Sequence, residues 1–528
     1  MKLNFRVLLV CALLGVCTVA GARNFRWASQ GDAATMDPHA QNETFNNSVN
    51  EFVYEALSTR GKKMEIAPLL ATSWTNTAPT KWIFNLRRGV KFHDGSTFTA
   101  EDVVFSFNRA RESGASFKTY AGQAGIPKKI DDYTVEFTTP VPNPVMPDTV
   151  AAIYIMSKSW CEKNKVVKPQ DFKNKEETYA VRNAMGTGAY KLLTWEQGVK
   201  IRYTQNLDWW GVKAGLFEGN VDTIEYRPIA NAATRMAAIK SGQVDFVLDP
   251  PVQDVSRLRE DRDLTLWEGG ENRIIFIGFD QARHELLYAD VKGKNPFKDR
   301  RVRLALYQAI DINAIKTQVM RGLSVPTAIA LQDPKFAGVP DSFDVRYPLD
   351  LAKAKQLLAE AGYANGFGFT LTCPNDRYIN DEKICVALAA MWARIGLNVK
   401  VDTMPKSQYF PRAEKRDVSA FMLGWGGGSS DAIFVLKPVM HSVNKEGAGQ
   451  ANYGDAKNEM LDALIDKLEG EMNGGERQKM INQAVKLMQD EVHVIPLHRQ
   501  VIPWVSRKGV LVVHRAGNSL VPVWVKMP

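Results

Sequence analysis

The 528-residue chain is poor in cysteine, with five in all, and Cys11 and Cys17 lie close to its start. The remaining Cys161, Cys373 and Cys385 contain no C-x-x-C motif, which excludes a zinc ribbon, a thioredoxin-type redox site and a disulfide-dense scaffold. A Cys373–Cys385 bridge and three reduced thiols are both compatible with this set; a bridge closing so short a loop would contribute about 3 kcal/mol. Long apolar runs are also missing after Val7–Ala22, so the chain is not a polytopic membrane protein. There is no H-E-x-x-H, no G-x-S-x-G, no Walker-type glycine loop and no G-x-G-x-x-G after a strand. The seven histidines are scattered, and the nearest pair, His493 and His498, has Pro496 between them. Neither a metal site nor a cofactor is therefore indicated. Lys and Arg are interleaved with Asp and Glu rather than blocked together, which removes the footprint of a nucleic-acid binder.

What is present is an export signal followed by a folded chain. Lys2 and Arg6 form a positive start, Val7–Ala20 an apolar stretch, and Ala20-Gly21-Ala22 a small-residue cleavage site. Residues 1–22 read as a signal peptide cut after Ala22, which lowers the formal net charge from +9 to +7 by removing Lys2 and Arg6. Leu14-Gly15-Val16-Cys17 is a poor lipoprotein signal, because Val16 occupies the place of a small residue. The mature protein is expected outside the cytoplasm, in the periplasm. An apolar fraction of 45% with 24% charged residues fits a globular chain with a sizeable core.

Periodicity gives an α/β pattern in which strands and helices interleave. Phe25–Gln30, Trp82–Leu86, Tyr133–Thr138, Ile224–Pro228 and Val244–Leu248 read as strands, and Tyr190–Trp195 with Lys200–Thr204 as a hairpin. Helices are expected over Asn47–Leu57, after Thr99 with Asp102 completing a capping box, and over Ala230–Ser241, Arg300–Ala314 and Glu382–Ile395. Two more, Asn458–Glu469 and Glu476–Asp490, precede a β-rich tail. No repeat and no long linker is present, so the domains are expected to be discontinuous.

Several local features carry possible chemistry. Gly424-Trp425-Gly426-Gly427-Gly428-Ser429-Ser430-Asp431 follows an apolar strand; its glycines admit close backbone approach and Trp425 offers a flat contact surface. A surface loop with Trp425 in the core is the equally weighted alternative. Arg377 and Tyr378 leave a strand and precede a helix, where α/β folds bind ligands, and Arg377 suits a carboxylate held by paired hydrogen bonds. A surface salt bridge is the competing reading of Arg377. Trp209 and Trp210 read as core, Arg300, Arg301 and Arg303 as a solvated helix face, and His93-Asp94 as a surface histidine beside a turn-forming aspartate.

The segment Leu86-Arg87-Arg88-Gly89-Val90-Lys91-Phe92-His93-Asp94-Gly95, continuing through Ala100–Ser106, closely resembles the signature of the peptide/nickel family of extracellular solute-binding proteins, family 5. Gly186–Tyr190, Asn206–Gly211, Ser241–Asp245, Asn295–Arg303 and Gly424-Trp425 extend the resemblance over the mature chain. It implies the type II periplasmic-binding-protein fold: two α/β lobes with discontinuous crossings, plus an inserted α+β domain. By that similarity lobe one would comprise residues 23–58, 186–269 and 490–528, the inserted domain 59–185, and lobe two 270–489. The implied function is non-enzymatic: capture of a peptide or peptide-like polar solute between the lobes by a monomer, and delivery to the permease of an ABC importer in the inner membrane. The same role for an opine, a sugar or another solute is the alternative, and a secreted hydrolase a more distant one.

The resemblance also implies contacts. The loop Gln30, Gly31 and Asp32, an inserted-domain aromatic matched by Tyr120, and Trp425 with Gly426 and Gly427 would touch ligand. Peptide binders carry an aspartate three residues after that tryptophan to hold the peptide α-ammonium; here Gly428 stands there, and Asp431 is the next acid. The departure points away from ordinary di- and oligopeptides and towards a modified peptide, an opine-like compound or a sugar.

Overall fold

The computed structural model describes residues 22–172, 174–426, 429, 431–445 and 447–528. The proposed signal peptide through Gly21, together with Gly427 and Gly428, lies outside the described residues. One 11-stranded sheet runs through the molecule. Its strands are β1 (Asn24–Ser29), β2 (Tyr190–Glu196), β3 (Lys200–Gln205), β4 (Thr223–Pro228), β5 (Phe246–Leu248), β6 (Leu264–Phe279), β7 (Ser324–Pro326), β8 (Gly368–Pro374), β9 (Asn398–Met404), β10 (Ala420–Gly426) and β11 (Ile495–Arg507). The spatial order is β9-β8-β10-β6-β11-β5-β1-β4-β3-β2, with β7 on β11. We call the β1–β5 half lobe one and the β8–β10 half lobe two.

Alternation along the strands explains the cores. In β1, Phe25 and Trp27 enter one cluster with Tyr203, Tyr226 and Trp504, while Ala28 joins Val247 and Ile239 on the other face. In lobe two, Ile275, Ile277, Ala420 and Met422 pack with Leu306 and Trp392, and Ile274, Phe276, Phe421 and Leu423 pack with Leu461 and Val485 on the opposite face. The sheet is mixed, and in both lobes its two faces are covered, as the parallel strands β1, β4, β5 and β8, β9, β10 require. A separate four-stranded antiparallel sheet, Ala71–Ala78, Lys81–Leu86, Thr134–Thr138 and Ile126–Asp131, packs on the helix Ala100–Arg109 with its own core. Thr99 and Asp102 cap that helix reciprocally, as the sequence predicts.

The lobes are joined by β6 and β11. Leu264–Gly270 pairs with Val501–Arg507 in lobe one, and Ile274–Ile277 with Ile495–Arg499 in lobe two. Between these halves Glu271, Asn272 and Arg273 face Gln500 alone, a bulge that bends the ladder at the boundary. The pairing also fixes which strand ends meet. β5 and β6 are both antiparallel to β11 and so run the same way, and β1 and β4 are parallel to β5. The C-terminal ends of β1, β4 and β5 therefore point at lobe two. β10 is antiparallel to β6, with β8 and β9 parallel to it, so their C-terminal ends point at lobe one.

Several expectations are corrected. The helix read over Asn47–Leu57 spans Thr44–Asn50, because the Glu43 carboxylate caps Asn46 N–H at its start. The helix read over Arg300–Ala314 stops at Gln308, and Asp311 caps a new turn. Arg303 is not on a solvated face; it is buried and donates to the carbonyls of Phe297, Glu491 and Val492. His93 is only partly exposed, bonded to Gly188 O at 3.0 Å, and burial lowers its pKa to about 4. Cys373 and Cys385 form a disulfide that ties β8 to the helix Asp381–Ala393, while Cys161 is free and buried.

A buried ion pair fastens the inserted domain to lobe one, and a second buried polar cluster lies within lobe one. Asp37 accepts both terminal nitrogens of Arg109 at 2.8 and 2.6 Å, with both side chains fully enclosed. Removing one partner of such a pair strands a charge. Glu55 accepts the indole N–H groups of Trp209 and Trp210, each at 3.0 Å, which gives the tryptophan pair a polar duty within the core. Burial pushes the Glu55 carboxyl up to about 7. The folded chain therefore holds this proton more tightly than the unfolded chain does. The contribution of Glu55 to stability is greatest below about pH 4.5 and is lost as pH rises through about 7, a range on the order of 3 kcal/mol. Denaturant unfolding at pH 4.5 to 8 should show this fall, and Glu55→Gln should flatten it; a parallel slope in the variant would contradict the assignment.

Candidate functional site

The strand directions define a cleft whose rims are the residues following β1, β4 and β5 on one side and β8, β9 and β10 on the other. Arg377 and Tyr378 lie just beyond β8. Asp381 Oδ2 accepts both of their backbone N–H groups at 3.0 Å, and Gln500 Oε1 accepts Ile379 N–H at 3.0 Å. The loop is thus pinned to the helix that follows it and to the interlobe bulge. Gln500 Nε2 in turn donates to Glu271 at 2.6 Å, and Arg273 Nε donates to the other Glu271 oxygen at 2.9 Å. A continuous polar chain therefore runs from the bulge to the Arg377 loop.

Arg273, Ile275, Gly424 and Gly426 share one sheet face, since Arg273 pairs with Gly426 and Ile275 with Gly424. The two glycines leave room there. A Cβ on Gly424 would lie 2.6 Å from the Tyr378 ring, and one on Gly426 would lie 2.7 Å from Arg273 Cβ. Tyr378 is buried in this space and donates its hydroxyl to Gly424 O at 3.1 Å. The Arg377 guanidinium sits 5.2 Å from the Tyr378 ring centroid. It stays exposed, and among the described residues no carboxylate pairs with it. The surrounding protein mass, and next the neighbouring Arg273 charge, lower its pKa. Glu271, and after it Glu43 of lobe one, act in the opposite sense.

The other residues singled out in the sequence divide. Gln30 is exposed and Gly31 half-buried at the end of β1. Gly31 O accepts the Tyr226 hydroxyl. Asp32 spends its oxygens on the backbone N–H groups of Gly198 at 2.5 Å and Ala33 at 2.8 Å. Trp425 lies on the sheet face opposite Tyr378; it packs on the lobe-two core and donates its indole N–H to Phe434 O at 2.6 Å. Asp431 pairs with Arg477 at 2.6 Å and caps Ile433 N–H. Tyr120 is half-buried against the inserted-domain core. Ser429 reaches Asp148 of the inserted domain at 3.4 Å, so the glycine-rich segment meets that domain. Arg377, Tyr378 and Gly426 are thus brought to one locus, and Asp32, Trp425 and Asp431 are engaged elsewhere. Glu271, Arg273 and Gln500 were not singled out; the charged Glu271-Asn272-Arg273 leading into apolar Ile274–Phe279 is the signal that marks them.

A cavity of about 380 Å³ lies beside the bulge, between Lys62, Glu268, Gly270, Phe336, His514 and Ala516. Its walls come from the inserted domain, the crossing strand, lobe two and the C-terminal tail. None of the residues singled out in the sequence lines it.

A family model described as bacterial extracellular solute-binding proteins, family 5 middle, matches residues 65–447. The chain belongs to that family. Among curated relatives, heme-binding protein A of Haemophilus influenzae (strain ATCC 51907 / DSM 11121 / KW20 / Rd) is 28% identical, over 86% of this chain and 83% of its own. The dipeptide-binding protein of Escherichia coli (strain K12) is 27% identical, over 84% of this chain and 83% of its own. Among solved structures, the periplasmic binding protein DppA of Helicobacter pylori in complex with the peptide STSA superposes with a TM-score of 0.75 at 22% identity, over 96% of this chain and 98% of that one. That likeness supports the two-lobed fold. As a member of the family, this chain is a solute-binding protein.

Gly424→Ala tests the packing of the Arg377–Tyr378 loop. The added methyl collides with Tyr378 and Ile275 and should lower stability by about 1–3 kcal/mol in denaturant unfolding. An unchanged midpoint would show that the Tyr378 ring does not need that space.

Proposed function

We propose that the protein is the periplasmic receptor of an ABC importer. It takes a peptide or peptide-like solute carrying an anionic group into the interlobe cleft and passes it unaltered to the membrane permease. Residues 1–22 are removed on export, the mature chain acts as a monomer, and it performs no catalysis. Two bodies move as lobes, residues 23–58 with 186–269 and 490–528, and residues 270–489; residues 59–185 ride as the inserted domain.

The observation that carries this reading is the unpaired guanidinium of Arg377 on the rim facing lobe one. An exposed guanidinium without a counter-ion is free to receive an incoming carboxylate through paired, charge-assisted hydrogen bonds. Arg273 adds positive potential from the adjoining strand. Closure excludes water and strengthens the pair. Gln30 and Gly31 complete the walls, while Asp32, Tyr120, Trp425 and Asp431 brace the loops around them. The heme and dipeptide named for the two relatives fit a common plan in which the cleft, not the fold, selects the solute.

Native mass spectrometry of protein purified without refolding identifies the co-purified solute by mass. Titration of that solute should show Arg377→Ala binding about 10- to 100-fold more weakly, as loss of a charge-assisted pair requires. Equal affinity in the variant, or a solute without an anionic group, would overturn the reading.

A further inference from the structure

We infer that Asp249 is the cation anchor of the cleft, receiving the ammonium of a zwitterionic solute whose carboxylate is held by Arg377, so that opposite lobes grip opposite charges of one ligand. This rests on the receptor reading above and adds the chemical class of the solute: an amino-carboxylate such as a peptide, a modified peptide or an opine.

Placement comes first. Asp249 directly follows Leu248, the last residue of β5, on the lobe-one edge that points at lobe two. The loop bearing Arg377 stands on the lobe-two edge that points back. The strand directions alone therefore put a carboxylate and a guanidinium on facing rims.

Local structure is the second observation. Asp249 has a φ of 53°, in the left-handed region that aspartate tolerates better than most side chains. The conformation is held from outside. Arg235 Nη2 donates to Asp249 O at 3.3 Å, and Asn518 Nδ2 donates to Asp249 Oδ1 at 3.1 Å. Asn518 is itself oriented by Trp504, whose indole N–H donates to Asn518 Oδ1 at 2.8 Å. Such over-determined, strained positions gather at ligand clamps. Here the holding groups fix one oxygen and the backbone while leaving Oδ2 without a donor among the described residues.

Charge balance is the third. Asp249 is half-buried, and no described lysine or arginine forms an ion pair with it. The charged groups around it are Glu271 from β6, which is repulsive, and Arg235 from the helix Ala232–Lys240, which is spent on carbonyls. Burial, then Glu271, push the Asp249 carboxyl up to about 6. A carboxylate in this setting is stabilised by a cation that arrives with the ligand. A solute that pairs with Asp249 and Arg377 at once touches both lobes only when they are closed, and it therefore favours closure. The aspartate whose place Gly428 takes is then not needed for holding an ammonium.

The test uses the mature protein, freed of co-purified solute, and three peptide pools: free di- to tetrapeptides, the same pool N-acetylated, and the same pool amidated at the C-terminus. Wild type should bind the free pool at least tenfold more tightly than either blocked pool. Asp249→Asn should lose the penalty for acetylation and keep the penalty for amidation, which also reports that it is folded; Arg377→Ala should show the reverse. Asp249→Ser is carried alongside as a smaller uncharged replacement. An acetylation penalty that persists in the folded Asp249 variants, or is absent in wild type while the amidation penalty remains, overturns the anchor and leaves the receptor reading standing. No binding of any pool by wild type would overturn the peptide-like reading itself, and the anchor with it.

Discussion

The crossing ladder of β6 and β11 is the constraint on which the rest depends. Two strands belong to both lobes at once, so each lobe inherits its orientation from the same pair of hydrogen-bonded chains. Their directions decide which strand ends meet and therefore where a cleft can form. Pairing continues on either side, with one further register slip between Ile275 and Phe276 in lobe two. The bulge at Glu271, Asn272 and Arg273 opposite Gln500 concentrates the irregularity at the boundary. The side chains at that bulge are charged or amide groups, and they bond to one another and to the Arg377 loop. The bulge between the lobes and the Arg377 loop are thus one polar structure.

The recognition locus depends on empty space as much as on charge. Gly424 and Gly426 remove side chains from one sheet face, which lets Tyr378 and Arg273 lie flat against the backbone. Tyr378 is then buried and hydrogen-bonded, and it supplies a fixed neighbour for the otherwise free Arg377. The Arg377 guanidinium is left exposed and without a counter-ion among the described residues. The inserted domain stabilises this arrangement from the side, through Asp148 against Ser429 and through Val145 and Met472 at the facing cores.

The sequence made much of the fold legible. Apolar alternation marked the strands, and Thr99 with Asp102 marked a helix start that is capped as expected. Helix limits were less legible at Thr44–Asn50 and after Gln308, because a glutamate cap and a second aspartate cap override the apolar spacing. Arg303 illustrates the limit of patterning: a charged residue is read as solvated, yet four carbonyls enclose it. For the site, Arg377 and Tyr378 were visible as polar and aromatic residues at a strand end. Asp32 and Asp431 were equally visible as acids but are spent on loop amides and on Arg477.

By itself the sequence determined the α/β class, the absence of a catalytic signature and the family to which the chain belongs, and it carried the expectation of an export signal, because these reside in residue order and local spacing. Tertiary structure alone decided that Glu271, Arg273, Gln500 and the Arg377 loop form one network, that Trp425 and Tyr378 lie on opposite sheet faces, and that Asp249 stands on the rim opposite Arg377. Those relations join segments far apart in the chain, from Tyr378 with Gly424 to Glu271 with Gln500. They follow from strand direction and register, which are set by the pairing of distant chains and leave no mark in the spacing of neighbouring residues.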